Sequence, residues 1–369
     1  MWDDDRKGWL TLAWFSGFGS RTLRKLRRRF DGDGVRAMKA TRKQLLHCGI
    51  TERASDGYLA FRSKVDPDML MRRLDAESIR FVLPPDDEYP SYLLHASDPP
   101  ESLFIRGAPI VLTRPVAVIG TRAMTHYGAT ATKLLVGELA RAGCEIISGL
   151  ALGIDGMAHR AALDAGARTI AVLAGGINDD AIYPRNHLRL AARILEEGGS
   201  IVSEFPPGTE SLRHLFPLRN RIIASMSTVT IVVEAAESSG SLVTAKLALE
   251  ENRDVFAVPG PITSEQSAGT NRLLVHGATP CLNAQDVLSL FGKNVSPPPK
   301  PPPLSEEDLD LLQLLERPFH IDDIIRTLEL PTATITSRLA VLVLHGCVEQ
   351  QSGDMYARSA MGRAAVETE

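Results

Sequence analysis

PVAVIGTRAMTHYGATATKLLVGELARAGCEIISG, residues 115–149, reads as strand, helix, strand. It opens on the β-rich run 116–119 (VAVI), crosses an Ala/Leu-rich helical stretch and closes on the run 145–148 (EIIS). The rhythm then repeats. Further apolar, β-rich runs stand at 169–173 (TIAVL), 200–203 (SIVS), 228–233 (TVTIVV) and 254–258 (DVFAV). Successive runs begin 24 to 31 residues apart, the spacing of βαβ units. Most show little alternation, as strands buried on both faces should. The expected fold class is therefore α/β, a Rossmann-like, doubly wound, mainly parallel sheet.

Upstream, residues 79–107 look extended (IRFVLP, a Pro-rich turn, then SLFIRG), and residues 9–75 read as short helices. The stretch 20–30 carries six cations beside an apolar stripe of Leu23, Leu26 and Phe30, a helical spacing. The preceding GFGS (17–20) is a tight turn with Ser20 as the expected N-cap. Turn plus basic helix resembles the hairpin of helix-hairpin-helix and SAM-like modules; a solvated basic face on a helical bundle explains it equally. Downstream, PPPKPPP (297–303) favours a polyproline spacer of roughly 20 Å. Beyond it, helices at 309–315, 321–328 and 332–346 and a hairpin at 348–358 follow the winged-helix pattern. The expected divisions are a helical SAM-like domain (1–76), a Rossmann-like domain (77–292), a linker (293–303) and a winged helix (304–369).

Composition narrows the function. Of 369 residues, 44% are hydrophobic and 23% charged, which excludes wholesale disorder. No run approaches ~18 uninterrupted apolar residues, so no membrane span is expected. The opening MWDDDRKGW lacks the basic start of a secretory signal. Four widely separated cysteines, Cys48, Cys144, Cys281 and Cys347, fit reduced thiols rather than a zinc site or disulfide framework. The net charge of −4 hides a gradient. Residues 1–109 hold 19 Lys and Arg against 16 Asp and Glu, residues 110–292 hold 15 against 17, and residues 293–369 hold 7 against 12.

In a doubly wound sheet, ligands sit beyond the carboxyl ends of the strands. After the first parallel strand stand Gly120, Thr121 and Arg122: a glycine for close backbone approach, a helix N-terminus and a planar donor fork for phosphate. The string GTRAMTHYG is neither GxGxxG nor a Walker loop, which disfavours dinucleotide and NTP binding. SGLALGIDGMAH (148–159) offers Gly149 and the pair Asp155 and His159, either a helix cap or an acid/base pair. GGINDDAIYPRNH (175–187) adds Arg185. EFPPGTESLRHLFPLRNRIIA (204–224) offers Arg213, His214, Arg219 and Arg221 around Phe216, cations for phosphates and a ring for a base. Ser239 and Gly240 open a further helix. A groove reading Arg122, Arg185, Arg213, Arg219 and Arg221 spans several phosphates, so the expected ligand is a polyanion.

These strings resemble the DNA-processing protein A family (DprA, also called Smf). The likeness rests on YPSYLLHASDPPESLFIRG (89–107), AVIGTRAMTHYG (117–128), ISGLALGIDGMAH (147–159), SEFPPG (203–208), FPLRNRIIA (216–224), VVEAAESSGSLVTAKLALE (232–250) and AGTNRLLVHGA (268–278). It implies a cytoplasmic homodimer that binds single-stranded DNA without sequence preference and loads the RecA recombinase during natural transformation, with no cofactor, no metal and no catalytic residue. Arg122, Phe216 and the Arg219-Asn220-Arg221 loop match the family's binding pocket; Arg213 stands where the family usually has lysine. Two rivals remain. Nucleotide phosphoribohydrolases share such a fold, but their PGGxGTxxE glutamate is missing from SSGSLVTAK (238–246). A winged helix reading duplex DNA or a protein is the other, and its third helix is poor in cations.

Overall fold

Eight strands build most of one twisted sheet: β1 (Ile79–Val82), β2 (Leu103–Gly107), β3 (Pro115–Ile119), β4 (Glu145–Ser148), β5 (Thr169–Val172), β6 (Ser200–Ser203), β7 (Val229–Val232) and β8 (Asp254–Ala257). A ninth strand, β9 (Thr279–Pro280), is too short to stand out in the sequence. The order is β1-β2-β6-β5-β4-β3-β7-β8-β9. Pairing is parallel from β6 through β9, while β1–β2 and β2–β6 are antiparallel. The chain winds outward from β3 to β6, then returns to lay β7 on the other side of β3. The reversal of strand order between β3 and β7 opens the crevice in which such sheets bind ligands.

The computed structural model describes residues 3–292 and 304–369, except 329, 352, 360, 361, 363, 364 and 367–369. The proline-rich spacer expected at 297–303 lies outside them. Contacts divide the chain into Met1–Val295 and Ser296–Glu369.

All five residues of β3 are buried, and alternate side chains part to opposite faces. Ala117 and Ile119 join the core beneath the helices Leu215–Ser225 and Gly240–Glu250. Val116 and Val118 join the core beneath His126–Arg141 and Ile154–Asp164. Six N-terminal helices pack Trp9, Leu12, Leu26 and Tyr58 into a cluster that includes Phe81, Phe104 and Ile201 of the sheet. Arg6 closes the outer edge of β1 by donating from Nη1 to the Phe81 carbonyl at 2.8 Å.

The basic helix is present as Ser20–Arg29, but its N-cap is Gly19 rather than Ser20. Ser20 lies in the first turn, buried. Its hydroxyl donates to the Glu204 carboxylate and accepts from the Glu101 amide at 3.1 Å.

The second unit has helices Glu306–Leu314, Ile321–Leu328 and Thr332–Leu344 and a three-stranded sheet, Phe319–His320, Met355–Arg358 and Val348–Gln351 in spatial order. Leu311, Leu312, Leu315, Ile335 and Leu339 form its core. This is a winged helix. Arg338 of its third helix is engaged by Glu307 and, at 3.1 Å, by Asp308.

Candidate nucleic-acid interface

At the β3/β7 reversal lies a cleft of about 390 Å³. Its walls come from loops far apart in sequence: Gly120, Thr121 and Arg122 after β3, Phe216, Arg219 and Asn220 at the start of a helix, and Ser239 and Gly240 after β7.

Backbone contacts fix the first loop. The Thr121 amide donates to the Glu234 carbonyl at 2.7 Å, and the Thr121 carbonyl accepts from the Ile154 amide at 3.2 Å. A Cβ at Gly120 would meet Ile154 at 2.6 Å and the Glu234 carbonyl at 2.8 Å, so only glycine lets the chain lie this close. Glu234 is itself buried, and accepts from the Thr125 amide at 2.9 Å and the Thr125 hydroxyl at 2.5 Å. Arg122 is thereby held, exposed, at the mouth, its guanidinium carbon 4.8 Å from the Phe216 ring centroid.

Beneath that ring sits a buried cation. Arg219 is 4% exposed, and its guanidinium carbon lies 5.8 Å from the same ring. Its Nη1 donates to the Gly149 carbonyl at 2.6 Å and to the Val172 carbonyl, and Nε donates to Asn220 Oδ1 at 3.1 Å. Any side chain at Gly149 would strike this guanidinium. Burial lowers the Arg219 pKa to about 10, against the opposing pull of Asp155. It therefore stays charged at neutral pH. Burial raises the pKa of Asp155, whose Oδ2 accepts from the Gly149 amide at 3.1 Å.

The third wall is a helix N-terminus. Ser239 caps Gly240–Glu250, its Oγ accepting from the Ser241 amide at 3.4 Å, and Ser238, Ser241 and Gln266 complete the lining. The positive end of the helix dipole faces the cleft. An exposed guanidinium, a half-buried ring over a buried cation and a helix N-terminus suit a phosphate with a base stacked beside it.

The five arginines expected along one groove divide. Arg122 and Arg219 meet at Phe216. Arg185 and Arg213 are exposed and do not line the cleft, and Arg185 donates to the Asp179 carbonyl at 2.6 Å. Arg221 is turned away altogether. It is paired with Glu204 and donates to the Asp98 carbonyl. Two residues along a helix point to nearly opposite sides, so Arg219 and Arg221 cannot serve one face.

Asp155 and His159 are not partners. His159 Nδ1 lies 2.7 Å from Thr169 Oγ1, and burial pushes its pKa down to about 3, which leaves it neutral. Nor does Asp155 cap its helix, since Gly153 holds that position. Sequence reading missed Tyr183, whose exposed ring stands edge-on to Phe216 at 6.4 Å. Its signal was the aromatic in YPRN (183–186), a loop that reaches Phe216 only through the strand order.

Known proteins share the sequence and fold of this chain. Residues 80–292 match the family described as DNA recombination-mediator protein A, and residues 295–354 match the DprA winged helix domain. The chain is 43% identical over 247 residues to Protein Smf of Escherichia coli, covering 66% of this chain and 65% of that protein. It resembles the solved structure of DNA processing protein A from Streptococcus pneumoniae, with a TM-score of 0.65, 32% identity, and coverage of 79% of this chain and 99% of that one. DNA processing protein A from Helicobacter pylori, solved for its single-stranded DNA binding mode, matches with a TM-score of 0.51 and 31% identity over 57% of this chain and 96% of that one.

Proposed function

The chain belongs to the DNA recombination-mediator protein A family, and from that premise we propose that it binds single-stranded DNA, protects incoming strands and loads RecA onto them during natural transformation, in the cytoplasm and as a homodimer. The observation that carries the DNA-binding reading is the stack of Arg122 and Arg219 around Phe216 at the mouth of the cleft. Single-strand binders join cations that track phosphates to rings that stack bases, without reading sequence. Gly120, Thr121, Gly149, Asn220, Ser239 and Gly240 shape this site, and Arg185 and Arg213 extend it outside the cleft. Residues 1–76 then act as a SAM-like helical module, 77–292 as the DNA-binding domain and 304–369 as the winged helix.

Homodimer formation is supported by the far edge of the sheet, where Ile262, Val275 and Leu282 are 96%, 85% and 73% exposed around β9. The reading needs no catalytic residue. Lys246, in the segment that carries the glutamate of phosphoribohydrolases, is exposed and paired with Glu250 at 3.7 Å. Incubation with AMP should release no adenine.

Fluorescence anisotropy with oligo-dT across a salt series tests the DNA-binding reading, and RecA filament assembly on coated strands tests the loading step. Affinity should fall with salt at a log–log slope of about −0.7 per phosphate contact. Salt-insensitive binding, or none, would overturn the DNA reading.

A further inference from the structure

The helix Ser20–Arg29 carries six cations in ten residues and no acid. Two are held by the protein. Arg24 donates to Asp98 and Glu101 at 2.9 Å each, and Arg27 donates to Glu101 at 2.8 Å while its guanidinium covers the Trp9 ring at 4.2 Å. The other four, Arg21, Lys25, Arg28 and Arg29, are exposed. Arg21, Lys25 and Arg28 follow at i, i+4 and i+7, a single stripe along the helix. Arg21 is 3.6 Å from Asp98, an acid already engaged by Arg24; Lys25 reaches only the Gly49 carbonyl, at 3.5 Å. Like charges at this spacing destabilise a helix unless something meets them. With Arg24, Ser97 and Asp98, the three line a groove of about 320 Å³.

The stripe lies at the same rim of the sheet as the Phe216 cleft. β2 runs antiparallel to β6, so the Asp98–Glu101 loop that enters β2 sits at the carboxyl ends of the parallel strands. Arg221, on the helix that bears Phe216 and Arg219, is joined to Asp98 and Glu204, and Glu204 to Ser20. Four strand spacings separate β3 from β2, roughly 19 Å, a distance that a few extended nucleotides cover. Exposed Arg213 is on the loop that follows β6, a strand between β2 and β3 in the order, and that loop also carries Glu210. The helix N-terminus itself is closed to an outside anion, because the Glu204 carboxylate bonds Ser20 there. Only the outer stripe is left to bind.

We propose that Arg21, Lys25 and Arg28 form a second phosphate-binding surface, which takes the same single strand after it leaves the Phe216 cleft. This rests on the single-strand reading above. It makes the site's effective length depend on the N-terminal helices.

The test is anisotropy on the full chain with oligo-dT of about 4 and about 16 nucleotides, which bracket the usual span of a single-strand site. The triple variant Arg21→Ala/Lys25→Ala/Arg28→Ala should bind the long strand roughly ten-fold more weakly, with a salt slope shallower by about 2 (three contacts at ~0.7 each), and the short strand as wild type. The charge-keeping variant Arg21→Lys/Arg28→Lys should retain long-strand affinity, which separates lost charge from a damaged fold. Wild-type binding of both strands by the triple variant would overturn the proposal, as would equal weakening of both. Phe216→Ala should weaken both lengths; if it weakens neither, the cleft reading fails, whatever the stripe does.

Discussion

The guanidinium carbon of Arg122 stands 4.8 Å from the centroid of the Phe216 ring, though 94 positions separate them in the chain. The fold places an exposed cation and a stacking surface at one mouth, and separable contributions to binding are expected of the two. Phe216→Ala should cost about 1–3 kcal/mol of binding, the usual worth of a base–aromatic stack, and leave the salt slope unchanged. Arg122→Ala should flatten the slope by about 0.7. If the two variants change the salt dependence alike, the division of roles is wrong.

Arg219 is a different kind of residue. Its guanidinium satisfies two buried carbonyls and faces the Asp155 carboxylate. Arg219→Met should therefore strand those groups and cost about 3–5 kcal/mol of folding stability, the penalty for breaking a buried charge pair on one side. Urea unfolding measures it. A loss under about 1 kcal/mol would show that water replaces the guanidinium.

Arg221 should separate from its neighbour in the same experiments. Arg221→Ala breaks the ion pair with Glu204, whose two side chains are 12% and 10% exposed. A loss of about 2 kcal/mol in stability is expected, with affinity for short oligo-dT intact. A folded Arg221→Ala protein with a shallower salt slope would return Arg221 to the DNA site.

His159 predicts an acid limit. Burial holds its folded pKa at about 3, against ~6.5 in the unfolded chain. Between those values the unfolded state takes up a proton that the folded state does not, so stability is full above ~6.5 and falls as pH drops, by up to about 1.4 kcal/mol per unit. Burial lowers the pKa of His187 too, in the same direction. Unfolding free energies near pH 7.5 and near pH 5 should differ less in His159→Gln than in wild type. Identical differences would remove His159 from the account.

Removal of residues 296–369 should leave single-strand affinity unchanged, because Arg122, Phe216 and Arg219 all lie in the first unit. Anisotropy on the shortened chain checks it, and a large loss would give the winged helix a direct part.

Much of this was legible in the residues. β-branched runs at regular spacing announced the parallel strands, and small residues after them announced the loops. Spacing alone did not disclose partners brought in from a distance. Arg219 and Arg221 look equivalent in LRNR (218–221), yet Asp155, Gly149 and Val172 claim one while Glu204 and Asp98 claim the other. Tyr183 reaches Phe216 only because β5 and β6 lie side by side. Ser20 looked like a helix cap until Glu204 and Glu101 reached it from the sheet side.

The edge strand Thr279–Pro280 bears on self-association. A proline offers no amide to a neighbouring ladder, and two residues give little template for one. At the opposite end of the sheet, Arg6 occupies a β1 carbonyl. The β9 margin gives another chain little ladder to continue, so copies meeting there would do so through side chains such as Ile262 and Leu282. Such a contact would close as a pair where the same patch serves both copies.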